Sequence, residues 1–297
     1  MKIFLTGATG FVGHHIIQAL LTRGHSVRCL VRTPATQLSR LDHAETVQGD
    51  VTIPETLHNA LTGCDAVIHL VGIIRPFPRK GITFERLHVN ATRNIVTAAQ
   101  AAGITRYLHM SALGAHADAN EDYMSSKWAA EQIVRTSPLQ WTIFRPALIY
   151  GSGGEFTHML HQQVRFLPII PIIGNGQYQL SPVAVTDIAS GFANALTSKT
   201  SIGKTYECCG NECCSYNELI DLFGAAIGRQ RPFKLHQPLG LMRTMTRALE
   251  KFATYPVTSD QISMLIRGAT CHDQSWRTDL TVPITPLAEG IKKALTG

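Results

Sequence analysis

Three glycines near the start of the chain, Gly7, Gly10 and Gly13, constrain its fold more than any other feature. An apolar segment at residues 2–5 precedes them, and a segment with helical periodicity at residues 11–23 follows. Glycines between a strand and a helix permit a tight turn and let a ligand approach the backbone closely. The N–H groups and partial positive charge of the helix N-terminus favour an anion. The sequence therefore predicts a phosphate-binding loop of the Rossmann type.

The position of these glycines, rather than their number, makes the signal specific. Their spacing is GxxGxxG instead of the more usual GxGxxG, but they stand directly between an apolar strand and an amphipathic helix. We expect the loop to hold the pyrophosphate of a dinucleotide. The residues expected to contact it are Gly7, Thr9, Gly10, Phe11, Val12 and Gly13.

The end of the second predicted strand, residues 26–31, indicates which dinucleotide fits. An NAD site places Asp or Glu there to bind the ribose 2′-hydroxyl. This chain has no acid at that point and continues with Arg32, whose guanidinium can pair with a 2′-phosphate. We therefore expect NADP(H) rather than NAD(H), and the alternative is that Arg32 is an ordinary surface residue. Arg28, inside the strand, is the less suitable partner.

Strand and helix patterns alternate as far as residue 150. Further strands are predicted at 46–48, 66–71, 106–110 and 141–144, and further helices at 54–62, 84–102 and 123–136. Such alternation implies βαβ units, and strands that are apolar throughout fit a parallel sheet covered on both faces. The predicted fold class is α/β, with a doubly wound Rossmann core over residues 1–150.

The character of the sequence changes at the glycine-rich stretch 151–154, which predicts a flexible break. Helices are predicted beyond it at 187–196, 216–227 and 239–252. We expect residues 151–297 to form a smaller mixed α/β subdomain on the substrate side, interleaved with the core. Large apolar residues within 151–181 predict a substrate pocket with an apolar part, suited to a quinone or isoprenoid, although they could equally belong to a core.

Composition and charge narrow the classes of partner. The chain is 44% hydrophobic and carries a net charge of +6, but its basic residues are scattered, so a nucleic-acid partner is not expected. Its apolar runs are too short to cross a bilayer. A strand that begins at residue 2 leaves no room for a signal peptide. We expect a cytoplasmic protein with a small-molecule substrate and leave open its peripheral attachment to a membrane complex. The oligomeric state is not indicated.

The seven cysteines are expected to be reduced packing residues. Their odd number, without an export signal, argues against a disulfide framework. The vicinal pairs 208–209 and 213–214 lack the spacing of zinc ligands, and neighbouring side chains on a predicted strand at 204–209 point to opposite faces. His158 and His161 are expected at the surface or in packing. We predict no metal site.

Several segments resemble the short-chain dehydrogenase/reductase superfamily. They are the glycine loop at 7–13, Gly49-Asp50-Val51 and Tyr123-Met124-Ser125-Ser126-Lys127. Residues 145–151 and 183–189 resemble its extended, NAD-dependent epimerase/dehydratase-like branch, and residues 256–261 resemble the atypical group related to the NADPH-binding accessory subunit of complex I. The resemblance implies that Asp50 and Val51 flank the adenine, that Leu70, Val71 and Gly72 pass beneath the cofactor, and that Pro146, Ala147 and Leu148 lie near the nicotinamide.

Tyr123 and Lys127 are four residues apart and share one face of a predicted helix. An ammonium near a phenol favours the phenolate, so we expect Lys127 to lower the pKa of Tyr123. The resemblance implies that Tyr123 exchanges a proton while hydride moves to or from the nicotinamide, and that Lys127 also binds the ribose. Ser111, after the fifth strand, would orient a substrate oxygen. Asn90 matches a position that supports the active-site backbone.

Two functions of different kinds follow from these motifs. The first is an NADP(H)-dependent oxidoreductase that uses Tyr123, Lys127 and Ser111. The second is a non-catalytic NADPH-binding protein, which is either a structural or assembly partner of a respiratory complex or a redox-reporting regulator. A sugar-nucleotide epimerase is a further enzymatic alternative, weakened by Arg32 because such enzymes usually keep NAD. Turnover that depends on Tyr123 distinguishes the first function from the second.

Overall fold

The computed structural model describes residues 1–33, 42–250 and 258–296, which divide into two compact units. The first unit comprises Met1–Pro146, Thr186–Cys208 and Asp273–Pro283, and the second comprises Ala147–Val185, Cys209–His272 and Ile284–Gly297. The first change of unit falls at Pro146, and two later segments return to the first unit.

The described residues form thirteen strands and ten α-helices. The strands are β1 (Lys2–Thr6), β2 (Ser26–Val31), β3 (Ala44–Gln48), β4 (Ala66–His69), β5 (Arg106–Met110), β6 (Gln140–Pro146), β7 (Ile149–Tyr150), β8 (Ile169–Ile173), β9 (Gln179–Leu180), β10 (Val183–Ala184), β11 (Lys204–Cys208), β12 (Cys214–Ser215) and β13 (Phe233–Gln237). The helices are α1 (Phe11–Thr22), α2 (Ala91–Ala101), α3 (Asp122–Arg135), α4 (Glu155–Phe166), α5 (Val185–Ala195), α6 (Tyr216–Ala226), α7 (Leu239–Leu249), α8 (Ser259–Arg267), α9 (Ser275–Asp279) and α10 (Leu287–Thr296).

A seven-stranded parallel sheet forms the centre of the first unit, in the order β3-β2-β1-β4-β5-β6-β11. The direction of winding reverses between β1 and β4. In sheets of this kind, ligands bind outside the carboxyl ends of the strands at such a reversal. The predicted fold class, α/β with a Rossmann parallel sheet, is confirmed.

The strands of this sheet are apolar because helices cover them. Phe4, Val67 and Ile143 are fully buried, and they belong to one hydrophobic cluster with Ile95 of α2 and Val134 of α3. Burying one such side chain stabilises the fold by about 1.5–3 kcal/mol. The cluster fixes the strands beneath the helices, and so fixes the loops at their carboxyl ends.

The segment predicted as a helix at 54–62 is mostly not helical. A single 3-10 turn covers Pro54–Leu57, and turns follow. The hydroxyl of Thr56 donates to the carbonyl oxygens of Ile53 at 2.7 Å and Asp50 at 3.1 Å. Side chains that bond to the local backbone in this way compete with helix formation.

The helix predicted at 84–102 begins in a wider form. Residues Glu85–Asn90 make a π-helical turn before the regular helix α2. Insertions of this type are rare and are frequent at functional sites. The turn carries His88, a buried residue described below.

The returning segments complete the first unit. Phe192 of α5 stacks on Phe144 of β6 with ring centroids 4.0 Å apart. Trp276 of α9 is fully buried, and its ring lies so close to Gly191 that a Cβ there would be 3.1 Å away. Strand β11 joins the edge of the sheet beside β6. The central sheet and its packing therefore depend on residues that lie more than 40 positions beyond β6.

The second unit has a hydrophobic core of its own. Leu160, Ile172, Leu219 and Ile291 are among its buried residues, and they come from α4, β8, α6 and α10. Helix α7 ends at Leu249. Residues 251 and 252 of the predicted helix 239–252, and Pro256 and Val257 of the segment with family resemblance, lie outside the described residues.

One disulfide corrects the expectation of reduced thiols. Cys209 is bonded to Cys271, 62 residues further along the chain. The segment around Ser181 lies between the two regions: its N–H donates to Ala269, and its carbonyl accepts from Gly210. Cys29, Cys64, Cys208, Cys213 and Cys214 are free thiols. Sequence spacing did not predict the bond, because the tertiary structure brings its two cysteines together.

No stretch of helix in the described residues has the length and apolar character needed to cross a membrane. The same residues contain no group of three or more His, Cys, Asp or Glu side chains suited to a metal ion.

Candidate cofactor-binding and active site

The glycine loop between β1 and α1 leaves no room for side chains. Gly7 has φ of +77°, and a Cβ on it would lie 3.1 Å from the Cβ of Leu70. A Cβ on Gly13 would lie 2.2 Å from the carbonyl oxygen of Gly7. The N–H of Gly10 donates to that same oxygen at 3.1 Å. The loop is therefore a tight turn, as the glycines predict, and it lies against Leu70 at the end of β4.

The N-terminus of α1 is suited to an anion. Gly10 occupies the cap position, and no described side chain caps the helix or places an acid in its first turn. The first-turn N–H groups of an α-helix lack partners within the helix. Thr9 is exposed, and Phe11 and Val12 are half-buried, so the backbone of the loop is accessible. These features fit a pyrophosphate.

The two arginines at β2 have different surroundings. Arg28 pairs with Glu45, and it donates to the carbonyl oxygens of Ala60 at 3.1 Å and Thr62 at 2.6 Å. Arg32 is exposed just after the strand, and no described residue forms an ion pair with its guanidinium. Arg28 therefore ties β2 to β3 and the following loop, whereas Arg32 is accessible to a ligand.

Asp50 and Val51 follow β3 in a well-held turn. The Oδ1 atom of Asp50 accepts hydrogen bonds from the N–H and the hydroxyl of Thr52, both at 2.8 Å. Val51 is buried, and its carbonyl oxygen accepts from the amide of Asn94 at 2.9 Å. The side chain of Asp50 thus shapes the loop at this corner of the sheet.

The backbone after β4 passes close to the side chains of His88 and Lys127. Leu70 is buried, Val71 is half-buried and Gly72 is exposed. A Cβ on Gly72 would lie 3.4 Å from Nε2 of His88 and 3.5 Å from Nζ of Lys127. The strand end, the π-helical turn and α3 therefore meet at Gly72.

Lys127 is buried in helix α3, and its Nζ donates to the carbonyl oxygen of Met110 at 2.7 Å. Burial lowers the pKa of Lys127 from its usual 10.5 to about 8. Burial also raises the pKa of Tyr123 to about 12. The expectation that Lys127 lowers the pKa of Tyr123 is therefore wrong for this structure. Loss of solvation dominates at the phenol, while the ammonium bonds to the end of β5.

Ser111 is buried directly after Met110, at the end of β5. Its N–H donates to the carbonyl oxygen of Phe144 at 2.7 Å, whereas its Oγ has no hydrogen-bond partner among the described residues. An unsatisfied buried hydroxyl costs about 1–3 kcal/mol, so such an atom marks a place where a ligand could supply the bond. Ser111 is thus adjacent to the residue that holds Lys127.

His88 is a buried residue of this site that was not among the residues predicted from the sequence. The N–H of Ile73 donates to Nε2 of His88 at 2.9 Å, so the proton of the neutral ring is on Nδ1. Nδ1 then donates to Oγ of Ser126 at 2.8 Å, and that hydroxyl donates to the carbonyl oxygen of Tyr123 at 2.7 Å. The ring also lies edge-on to the Tyr123 ring, with centroids 5.6 Å apart.

These contacts give His88 the supporting role that the family resemblance assigned to Asn90. The Oδ1 atom of Asn90 instead accepts a hydrogen bond from Arg93. Burial, followed by the charge of Lys127, lowers the pKa of His88 to about 2, so the ring is neutral. The signal available in the sequence was a histidine two residues before Asn90, in the same segment.

Two further histidines lie buried at the ends of β4 and β5. His69 is hydrogen-bonded through Nδ1 to the hydroxyl of Thr6 at 2.7 Å, and its ring stacks on His109 at 5.6 Å. Burial lowers the pKa of both, that of His69 to about 3. Lys127 also lowers both pKa values, which indicates that the neutral histidines and the ammonium share one region of the first unit.

Of the remaining residues predicted to bind the cofactor, Pro146 lies in the first unit, and Ala147 and Leu148 lie in the second. Pro146 ends β6 in the first unit, and its carbonyl oxygen accepts from the N–H of Leu113, two residues beyond Ser111. Ala147 and Leu148 belong to the second unit, where the carbonyl oxygen of Leu148 accepts from Val183. The glycine loop, Arg32, Ser111, Tyr123 and Lys127 all lie in the first unit.

A protein-family model described as NAD(P)H-binding matches residues 7–163. This segment is more than half of the chain and includes the glycine loop, Ser111, Tyr123 and Lys127. The chain belongs to this NAD(P)H-binding family. Its fold is that of the NAD(P)-binding epimerase/dehydratase-like proteins, as the motifs predicted.

Two curated relatives of this NAD(P)H-binding protein represent different kinds of function. The mitochondrial NADH dehydrogenase [ubiquinone] 1 alpha subcomplex subunit 9 of Dictyostelium discoideum is 27% identical over 301 residues, which cover 95% of this chain and 81% of the relative. The ceramide reductase of Caulobacter vibrioides is 34% identical over 192 residues, which cover 64% of this chain and 58% of the relative.

A solved structure supports the fold assignment. The NADPH-dependent quinone oxidoreductase of Escherichia coli, crystallised with NADPH, superposes with a TM-score of 0.78. The match covers 99% of this chain and 100% of that one, at 20% sequence identity. At 20% identity the comparison supports the fold of this protein and gives no information about its substrate.

Proposed function

We propose that this protein is an NADP(H)-dependent oxidoreductase that reduces a carbonyl group on a substrate with an apolar part. The observation that carries the proposal is the junction of β5 and α3. There the ammonium of Lys127 bonds to Met110, and the buried hydroxyl of the next residue, Ser111, lacks a hydrogen-bond partner among the described residues. The phenol of Tyr123 is one helical turn before Lys127.

The glycine loop and Arg32 support the choice of cofactor. The first turn of α1 offers N–H groups to the pyrophosphate, and the accessible guanidinium of Arg32 suits a 2′-phosphate. No acidic residue stands at the end of β2 to bind a ribose 2′-hydroxyl instead. When bound, NADPH would supply the hydride that adds to the carbonyl carbon.

The side chains then have distinct roles in the proposed reaction. Tyr123 donates its phenolic proton to the carbonyl oxygen as the hydride arrives at carbon, and Ser111 holds that oxygen through a hydrogen bond from Oγ. The ammonium of Lys127, held by its bond to Met110, binds the ribose hydroxyls of the cofactor. Burial raises the pKa of Tyr123 to about 12, so the phenol carries the proton that it donates in this step.

One of the relatives favours an apolar substrate. The name of the Caulobacter relative, ceramide reductase, refers to a lipid substrate. Of the apolar residues predicted to line a pocket within 151–181, Phe166, Leu167 and Ile169 are exposed, so the apolar part of the substrate is proposed from this name alone. We accordingly propose long-chain ketones, aldehydes and quinones as the first substrates to examine.

The experiment follows NADPH oxidation with a panel of these carbonyl compounds. Tyr123→Phe is expected to lower kcat at least a hundredfold while the Kd for NADPH changes less than about threefold, because general acid catalysis contributes about 10²–10⁴-fold. Tyr178→Phe removes another buried phenolic hydroxyl, located in the second unit, and serves as the matched control. Equal turnover by the wild type and Tyr123→Phe would refute the proposed role of Tyr123.

Cofactor preference is tested separately by calorimetric titration with NADPH and NADH. Arg32→Ala is expected to weaken NADPH binding by about 10–100-fold and to leave NADH binding nearly unchanged, since only the former has the 2′-phosphate. Lys199→Ala removes an exposed cation elsewhere in the first unit and controls for net charge. Tighter binding of NADH by the wild type would instead favour an NAD-dependent enzyme such as a sugar-nucleotide epimerase.

A non-catalytic role is the second candidate, and the Dictyostelium relative favours it. That relative is named as a subunit of mitochondrial NADH dehydrogenase and aligns with 95% of this chain. In this role the protein would bind NADPH as a structural or assembly component attached to a membrane complex. NADPH binding without turnover that depends on Tyr123, across the whole carbonyl panel, would support it over the oxidoreductase.

A further inference from the structure

The second unit exposes a set of large apolar side chains that its core does not use. Ile169 of β8 pairs in register with Phe233 of β13, and Leu235 lies two residues further along β13. Phe166 and Leu167 come immediately before β8. Phe166 is 63% exposed, Phe233 64% and Leu235 51%. We call these five residues the β8–β13 apolar face.

The face departs from the usual pattern of a half-buried sheet. In β8 the alternate residues Ile170 and Ile172 are fully buried in the core of the second unit, so the outward positions would ordinarily be polar. They are instead apolar at Ile169 and Pro171 of β8 and at Phe233 and Leu235 of β13. Clustered exposed apolar side chains of this kind mark a surface that binds another apolar phase or molecule.

The two stretches of chain that carry the face are rich in basic residues. Residues 156–176 and 222–249, which include β8 and β13, contain no Asp or Glu. The same two stretches contain six basic residues, namely Arg165, Arg229, Arg231, Lys234, Arg243 and Arg247. Of the six, Lys234 pairs with Asp221, which lies just outside these stretches. Basic residues therefore outnumber acids in the segments that carry the face, and Arg165 and Arg231 are exposed there.

One of these arginines builds the face. The guanidinium of Arg229 donates to the carbonyl oxygens of Val164 and Leu167, both at 2.6 Å, and of Pro168 at 2.9 Å. These bonds hold the turn between α4 and β8 that presents Phe166 and Leu167 to solvent. The guanidinium of Arg165 lies over the ring of Phe166, 5.2 Å from its centroid.

Helix α7, which follows β13 directly, has the same combination of side chains. Leu241 and Met245 are exposed one turn apart, and Arg243 and Arg247 are exposed on the other side of the helix. Amphipathic helices with basic polar residues are typical of segments that lie in the membrane interface.

We infer that the β8–β13 apolar face docks the second unit on a membrane surface that contains anionic lipids. Aromatic and aliphatic side chains would enter the boundary between headgroups and acyl chains, and the arginines would meet the lipid phosphates. A second copy of the chain fits less well, because an isologous contact would place these basic residues against each other. The inference does not depend on whether the protein catalyses a reaction.

The test measures binding of the purified full-length protein to sedimented lipid vesicles. One set is pure phosphatidylcholine, and the other contains about one third phosphatidylglycerol. The protein is expected to bind the anionic vesicles at least tenfold more tightly, and binding should weaken as salt is raised, because counterions screen the lipid charge.

Variants test whether the β8–β13 apolar face is responsible for vesicle binding. The double variant Phe166→Ser/Phe233→Ser is expected to lower the affinity for anionic vesicles at least tenfold. Arg165→Gln/Arg231→Gln should reduce the preference for anionic over neutral vesicles. Ile284→Ser changes a residue that is 53% exposed in the same unit but outside the face, and should bind as the wild type does. All the altered side chains are exposed, so circular dichroism melts should be unchanged.

Three results would overturn the inference. The first is that the wild type binds neither vesicle. The second is that the Phe166→Ser/Phe233→Ser variant binds vesicles as tightly as the wild type. The third is that light scattering shows a dimer which this variant dissociates, since that would assign the face to a second copy of the chain.

Discussion

The Nζ atom of Lys127 donates a 2.7 Å hydrogen bond to the carbonyl oxygen of Met110, which joins helix α3 to the last residue of β5. The bond holds a positive charge inside the first unit, where burial lowers the pKa of the ammonium to about 8. A lowered pKa means that the folded chain binds the lysine proton less tightly than the unfolded chain does. The position of this ammonium therefore has a cost in stability that depends on pH.

We predict that this cost disappears as the pH rises from about 8 to 10.5. In that range the unfolded chain still binds the lysine proton and the folded chain has released it, so the free energy of unfolding rises with pH. The full change is about 3 kcal/mol. Lys127→Met lacks this contribution, and urea unfolding of both proteins across the range measures the difference. Parallel curves for the two proteins would contradict the prediction.

The buried histidines predict a slope of the same sign in acid, where stability falls as the pH is lowered. His69 and His88 have folded-state pKa values of about 3 and 2, against an ordinary value of 6.5. Below pH 6.5 the unfolded chain takes up protons that the folded chain refuses, so stability falls by about 1.4 kcal/mol per pH unit for each residue. His69→Asn and His88→Asn should each reduce this slope in urea unfolding. His58→Gln, at an exposed position, should keep the wild-type slope, and an unchanged slope in both buried variants would count against the prediction.

The glycine loop gives a sharp prediction for ligand binding. Gly13→Ala would bring a Cβ to 2.2 Å from the carbonyl oxygen of Gly7, so the loop must open or shift. Because the backbone N–H groups then lose their alignment, we expect NADPH affinity to fall at least a hundredfold in calorimetric titration. Gly240→Ala is the control, since a Cβ there meets nothing within 4 Å. Retention of wild-type affinity by Gly13→Ala would show that the loop does not bind the pyrophosphate.

The disulfide predicts a loss of stability on reduction. The Cys209–Cys271 bond links residues 62 positions apart, and closing a loop of this length stabilises a fold by about 4 kcal/mol in the chain-entropy treatment. Cys271→Ser, or reduction of the wild type with dithiothreitol, should lower the free energy of unfolding by up to that amount. Cys213→Ser removes an exposed free thiol and should have little effect. Mass spectrometry after alkylation of the unfolded but unreduced protein should leave two cysteines unlabelled, and labelling of all seven would refute the bond.

The parts of the fold that the sequence predicted are those with local signals. The strand at Lys2–Thr6, the glycine turn and helix α1 are adjacent in the chain, so their hydrophobic period and glycines identify them directly. The parallel sheet followed from repeating that pattern. The segment 54–62 was wrongly predicted as a helix. The hydroxyl of Thr56 donates to nearby backbone carbonyls, and these hydrogen bonds compete with those of a helix.

Features that depend on distant residues were not visible in the sequence. His88 acts through Ile73 and Ser126, which belong to different elements and meet only when α3 packs on the π-helical turn. The pKa of Tyr123 was predicted in the wrong direction, because helical spacing shows that two residues share a face but not that the phenol loses its solvent. Cys209 and Cys271 likewise come together through the tertiary structure alone.

The return of the chain to its first unit has a consequence for biosynthesis. Strand β11, Phe192 and Trp276 complete a sheet whose other strands have all been made by residue 146. While the ribosome is still adding the intervening residues, the β6 edge remains unpaired and the surface around Phe144 uncovered. Folding of the first unit can therefore be completed only after residue 283 has left the exit tunnel. A fragment ending at residue 150 would retain an unpaired β6 edge, which exposes backbone N–H and C=O groups to other chains.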